Sequence, residues 1–188
     1  MKRIFLAVLL LPLYAALTLG ATWKPVDPSE LALKQPKIQP DADAEAIFWE
    51  VAIEDRIQGN EFSLSFNNYV RIKIFTARGV TEHATVEIPR FGRRSIMDVS
   101  GRTIKPDGKI IELKKDAIFD RDLVKTKGFK AKGKSFALPQ VEPGDVIEYQ
   151  FREVRDNELA NYLHLDLQRD IPVWRASMLA TYRVSDAL

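Results

Sequence analysis

Two histidines, His83 and His164, are the side chains of this chain best suited to moving protons near neutral pH. Each falls in a stretch that reads as a strand, and neither has a second histidine at the close spacing a zinc site uses. Joined by a serine and an acid from elsewhere in the sequence, either could complete a hydrolytic triad, since triads assemble from distant residues. No Gly-x-Ser-x-Gly elbow accompanies them, which leaves a structural or surface role as the plainer reading. The acids Asp116, Asp120 and Asp122 raise the idea of a carboxylate pair for glycoside hydrolysis. They stand beside Arg121 and several lysines, so surface ion pairing accounts for them more simply. Neither form of phosphate-cradling glycine loop is present. The absence of cysteine removes disulfides, thiolate metal sites and thiol nucleophiles. The expectation is a chain that is not an enzyme and that uses no cofactor and no metal.

Binding chemistry is easier to place. Lys125, Lys127, Lys130, Lys132 and Lys134 crowd one basic segment with Gly128 and Gly133 between them. A loop gripping an anionic partner (phospholipid, polysaccharide or acidic protein) is one reading. A flexible, solvated loop is the other, and the charge balance described below favours it. Phe48, Trp49 and Trp174 could offer a surface ring to a sugar; adjacent Phe48 and Trp49 must point to opposite faces of a strand. A place in the core is the commoner fate of such rings. Asp41, Asp43 and Glu45 alternate but lack the glycine and distal glutamate of a calcium loop, so they read as a solvated acidic turn.

The elements that must position these residues are mainly strands. Tyr69–Thr76 alternates, with Val70, Ile72, Ile74 and Thr76 on one face and Arg71, Lys73 and Phe75 on the other, as expected where one sheet face is buried and the other wet. Ala84, Val86 and Ile88 continue the pattern, and Ile47–Ile53 is rich in β-forming residues. Lys105-Pro106-Asp107-Gly108 separates two strands, and Val141-Glu142-Pro143-Gly144-Asp145 precedes the alternating run Val146–Val154. Proline presets φ, aspartate bonds back to the main chain and glycine takes positive φ. Tyr162–Gln168 and Arg175–Val184 complete about eight strands, a spacing that predicts an all-β, mainly antiparallel sandwich over residues 46–188.

Two segments precede it. Residues 1–21 carry Lys2 and Arg3, then an almost wholly apolar run broken by Pro12, then small residues, the order of an export signal cut after Gly20 or Ala21. The run falls short of the ~20 residues of a spanning helix, and an uncleaved anchor would be the chain's one membrane contact. Residues 22–45 form an arm rich in prolines (Pro25, Pro28, Pro36, Pro40), with one helical turn over Ser29–Leu33 capped by Ser29. Removing the signal takes two of the 28 basic residues and no acid, leaving 26 of each sign. A neutral mature chain argues against nucleic acid as partner.

Several segments, in order, resemble a known family: Trp23-Lys-Pro-Val, Asp41-Ala-Asp-Ala-Glu-Ala-Ile-Phe-Trp-Glu, Tyr69-Val-Arg-Ile-Lys-Ile-Phe-Thr, Thr103-Ile-Lys-Pro-Asp-Gly-Lys, Lys134-Ser-Phe-Ala-Leu-Pro, Val141-Glu-Pro-Gly-Asp-Val-Ile-Glu-Tyr and Leu167-Gln-Arg-Asp-Ile-Pro-Val. The set is similar to the domain of unknown function that precedes transglutaminase-like domains in secreted bacterial proteins. The resemblance implies a β-sandwich, a periplasmic or extracellular setting and a papain-like catalytic companion with Cys, His and Asp. Such a companion is not in this sequence, and the ending at Leu188 suggests truncation. The expected function is a non-catalytic binding or accessory module of the cell envelope, held against a protein or glycan. The alternatives are a structural domain that packs on a transglutaminase-like domain encoded elsewhere, and a cryptic hydrolase using His83 or His164.

Overall fold

The computed structural model describes residues 22–58, 61–126, 129–158 and 169–183. The export segment 1–21, the expected strand Tyr162–Gln168 and His164 within it lie outside the described residues. The element order is α1 (Pro28–Ala32), β1 (Ala44–Gln58), β2 (Glu61–Ile74), α2 (Ala77–His83), β3 (Thr85–Arg90), β4 (Arg94–Ile104), β5 (Ile110–Glu112), a 3₁₀ turn (Lys115–Ala117), β6 (Ile118–Thr126), β7 (Phe129–Ala137), β8 (Val146–Asp156) and β9 (Ala176–Arg183). Among the described residues nine strands form two sheets, ordered β5-β4-β8-β2-β1-β9 and β3-β7-β6. All pairings are antiparallel except β1 with β9. The fold is therefore all-β and sandwich-like.

Alternation explains the main core. Val70, Ile72 and Ile74 of β2 and Ile147 and Tyr149 of β8 project from the large sheet towards Ile88 of β3 and Phe136 of β7 on the small one. The two turns form as their residues require. Gly108 (φ +85°) closes the link between β4 and β5, with its N–H on the Lys105 carbonyl at 2.9 Å. Gly144 (φ +96°) serves the turn before β8, where Glu142 N–H donates to Asp145 Oδ2 at 2.7 Å.

Three expectations are corrected. His83 ends helix α2 and is not in a strand. Thr76 stops β2 by turning its hydroxyl onto Gly79 N–H at 3.2 Å, and Gly79 lies so close to the Asp43 carbonyl that a Cβ would come within 2.3 Å of it. The helical turn in the arm is real but is capped by Asp27, which accepts from Ser29 N–H at 2.8 Å. The largest correction concerns the second face of β2. Arg71 and Lys73 are buried, because the arm crosses this face of the sheet and shuts out water. Val26 and Leu31 from the arm join Ile47, Phe48, Ile104, Val146, Tyr69 and Trp174 in a second apolar cluster. Each such side chain contributes roughly 1.5–3 kcal/mol when fully buried.

Candidate functional site

Ionisable groups gather in two places: a strip sealed beneath the arm and an open groove at the end of the small sheet. The strip is built by cross-strand register. Arg71 of β2 pairs with Glu148 of β8, which pairs with Arg102 of β4, so three charges stand in one row on the arm-side face. Glu148 is fully buried, and both of its oxygens accept hydrogen bonds. Its Oε1 receives Arg71 Nε and the Tyr69 hydroxyl, each at 2.6 Å, and its Oε2 receives Arg102 Nε at 2.6 Å. Arg71 continues outward to Glu30 Oε2 at 2.7 Å and to the Lys24 and Pro25 carbonyls at 3.0 and 3.1 Å. Its guanidinium also stacks over Phe48, while that of Arg102 lies over Trp23. Two of the three bonds from Arg71 to the arm reach its main chain, where prolines leave carbonyls without a helical or ladder partner.

Lys73 has a different environment. Its Nζ donates to the Leu31 and Gly144 carbonyls at 2.8 and 2.6 Å, and it makes no ion pair with a described residue. Burial pushes this amine down to about 8, with repulsion from Lys34 adding to the fall and Asp145 partly opposing it. Tyr69 is pushed up to about 12, first by burial and then by its bond to Glu148. An unfolded lysine keeps its proton to about pH 10.5 and an unfolded tyrosine to about pH 10. Between about pH 8 and 10 the unfolded chain therefore binds more protons than the folded one, and stability rises with pH. Above about pH 10 the unfolded tyrosine loses its proton first, so the trend reverses. Urea midpoints measured from pH 7.5 to 11 are expected to peak near pH 10, and Lys73→Met should flatten the ascending limb. A wild-type profile flat from pH 8 to 10 would contradict the burial of a charged Lys73.

Of the acids Asp41, Asp43 and Glu45, Asp41 is exposed in a turn as expected, whereas Asp43 and Glu45 are drawn into the fold. Glu45 is fully buried and accepts from the main-chain N–H groups of Lys37, Ile38 and Gln39 at 2.8, 2.7 and 2.9 Å, and from Trp174 Nε1 at 2.7 Å. Asp43 pairs with Arg78 and accepts from the Thr76 hydroxyl, which ties the arm's end to α2. The aromatic candidates are likewise occupied. Phe48 is buried, Trp49 packs in the core beneath Arg169, and Trp174 holds Glu45 with Lys37 over its ring at 4.1 Å. His83 is half-buried, which lowers its basicity, and it makes no hydrogen bond with a described residue.

The basic segment is not a loop. Lys125 lies in β6 and pairs with Lys130 of β7; Lys132 and Lys134 continue β7, and Lys127 lies outside the described residues. Period two places Lys132 and Lys134 on one face of β7 with Phe136. Phe136 fills the core near the end of the strand, and the lysines come before it. Lys134 and Lys132 face Ile88 and Arg90 of β3 on one side and Asp120 and Asp122 of β6 on the other. With Ser95 and Ile96 of β4 opposite, they line a groove of about 410 Å³. Asp120 accepts from Lys134 Nζ at 2.8 Å with its side chain 80% exposed, which makes a surface ion pair. Asp116 sits in the 3₁₀ turn.

Sequence reasoning missed Tyr69, Arg71, Lys73, Arg102 and Glu148 as a unit. The available signal was the opposite charge on Arg71 and Glu148, carried at matching positions of two alternating strands.

These features define a two-sheet β-sandwich with a covering N-terminal arm. The chain belongs to the family described as a domain of unknown function with solved structure (DUF3857), whose profile matches residues 60–180. No curated protein matches it significantly. Among solved structures it is similar to a Parabacteroides distasonis ATCC 8503 protein described as a "putative protease", with a TM-score of 0.59 and 17% identity. The match covers 74% of this chain but 29% of that one, and at this identity it speaks to the fold alone.

Proposed function

We propose that this chain is a non-catalytic binding or accessory module that works outside the cytoplasm, in the bacterial envelope. The observation that carries this reading is the use made of the clustered charges. Glu148, Arg71, Arg102, Lys73 and Glu45 are closed off by the arm and spent on holding it, leaving none of them facing a substrate. The export-type segment at residues 1–21 supports the location. Protein beginning at Thr22 should be retained saturably on isolated envelope material and should hydrolyse neither casein nor simple esters. Hydrolysis that disappears in His83→Ala would replace this reading with that of a hydrolase using His83, and absence of retention would remove the binding role.

A second reading is favoured by the Parabacteroides protein, where this fold occupies 29% of the chain. In that reading the sandwich packs on another domain, a transglutaminase-like one by the resemblance of its sequence. Among the described residues β9 is an edge strand, and with Leu179 67% exposed it is a surface such a domain could cover. Co-purification with a transglutaminase-like protein, lost on Leu179→Lys, is the result this reading expects.

A further inference from the structure

We propose that the groove between the end of the small sheet and β4 is a binding site for a linear polyanion, with Arg90, Lys132 and Lys134 as its cationic wall. This rests on the binding-module reading above and gives that module a ligand class. Three observations support it.

First, the site is made by the fold rather than by a loose run of surface lysines. Lys132 and Lys134 are two apart on one strand, so their side chains leave the same face about 7 Å apart. Arg90 is the cross-strand neighbour of Lys132. Gly133 between the lysines fixes how closely β7 lies against β3, since a Cβ there would stand 2.3 Å from the Ile88 carbonyl oxygen. A row of cations at strand spacing on a paired backbone can meet successive anionic groups of one chain with little ordering cost.

Second, the charge in the groove is incompletely answered from within. Arg90 and Lys132 make no ion pair with a described residue, and both are exposed. Lys134 is answered by Asp120. An exposed pair of this kind is worth about 0–1 kcal/mol, so an external anion can displace the carboxylate. Asp120 thus occupies the place on Lys134 that a ligand anion would take.

Third, the groove is long enough for a chain-like ligand. Its lining continues through Ser95 and Ile96 of β4, and the volume of about 410 Å³ accepts a short stretch of polymer rather than an isolated ion. Point-charge recognition by lysine suits phosphate and carboxylate alike, so the shared chemistry is a chain of repeating anions.

The test uses protein beginning at Thr22 with two probes, inorganic polyphosphate and poly-glutamate, titrated calorimetrically at low and moderate salt. Binding to at least one is expected, weakening as salt rises, and the preferred probe identifies phosphate or carboxylate as the anion. Arg90→Gln and Lys132→Gln should each weaken it about five- to tenfold, while Asp120→Asn should tighten it by about threefold because the internal competitor is gone. The control is Lys115→Gln, which removes one charge, as each groove variant does, from the exposed 3₁₀ turn and should change affinity less than twofold. Binding to neither probe overturns the proposal, as does a control that weakens as much as the groove variants or an Asp120→Asn protein that binds no tighter. Envelope retention that persists in Arg90→Gln/Lys132→Gln would discard the groove while leaving the binding-module reading intact. Loss of envelope retention in every form, with polyphosphate binding preserved, would do the reverse.

Discussion

Glu148→Ala is expected to lower the unfolding free energy by about 3–5 kcal/mol, a large share of the stability of a domain this size. The reason is the number of donors that lose one shared acceptor together. Arg71 and Arg102 both aim their Nε at this one carboxylate, and their side chains are only 3% and 8% exposed. Without it two guanidiniums stand side by side in a water-poor layer, with the Tyr69 hydroxyl also left without its acceptor. Breaking a buried pair by deleting one partner is costly because the remaining charge stays desolvated. Glu148→Gln should recover little, since its one carbonyl oxygen cannot serve three donors and its amide turns a further donor toward them. Arg102→Met should cost less than half as much. Arg102 bonds to Glu148 and rests on Trp23, whereas Arg71 keeps Glu30 and the Lys24 and Pro25 carbonyls. Urea unfolding at pH 7 measures all three. A Glu148→Ala loss under about 1 kcal/mol, the range of an exposed ion pair, would mean that water reaches the strip and that the arm does not seal it.

The same strip shows why part of the fold could be read directly and part could not. Turns at Lys105–Gly108 and Val141–Asp145 were legible because their chemistry is local: proline, aspartate and glycine each act on their own backbone. The alternation of β2 was legible too, but it reports only that two faces differ. It does not report that a segment some 40 residues earlier returns to cover the polar one. β1 resisted reading for another reason. Ala44 and Ala46 face the main core, then Ile47 is bulged out of register, and afterwards Trp49, Val51 and Ile53 take over that face. One inserted residue inverts the parity, so no period-two pattern runs through the strand. In β7 the alternation was present in Lys130, Lys132 and Lys134, but the glycines and the density of charge pointed to a loop. Strand pairing with β3 and β6 outweighed those local preferences.

The second large effect is expected at Glu45, where removal of one side chain should release the second half of the arm. Its carboxylate gathers the Lys37, Ile38 and Gln39 amides and the Trp174 indole, a small anion-holding nest turned inward. Burial pushes the Glu45 carboxyl up, but Trp174 and the three amides more than reverse this, and the group is held below the ordinary glutamate value. A carboxylate with a lowered folded value gives stability that is present above about pH 4.5 and lost as the pH falls through the folded value. Acid and mutation should therefore act alike. Glu45→Ala leaves three amides that can turn to water once the arm lifts, so its cost is local, about 2–3 kcal/mol. That corresponds to a fall in hydrogen-exchange protection of about 100-fold at Lys37–Gln39. Protection at Val70, Ile72 and Ile74 should hold, because these side chains pack against the small sheet and not the arm. Glu45→Gln should resemble the alanine variant, as its amide nitrogen would face donors. Trp174 fluorescence should report the same release, since the indole loses its acceptor together with the overlying Lys37. Unchanged exchange at residues 37–39 would show that the prolines and the apolar cluster of Val26 and Leu31 hold the arm without Glu45.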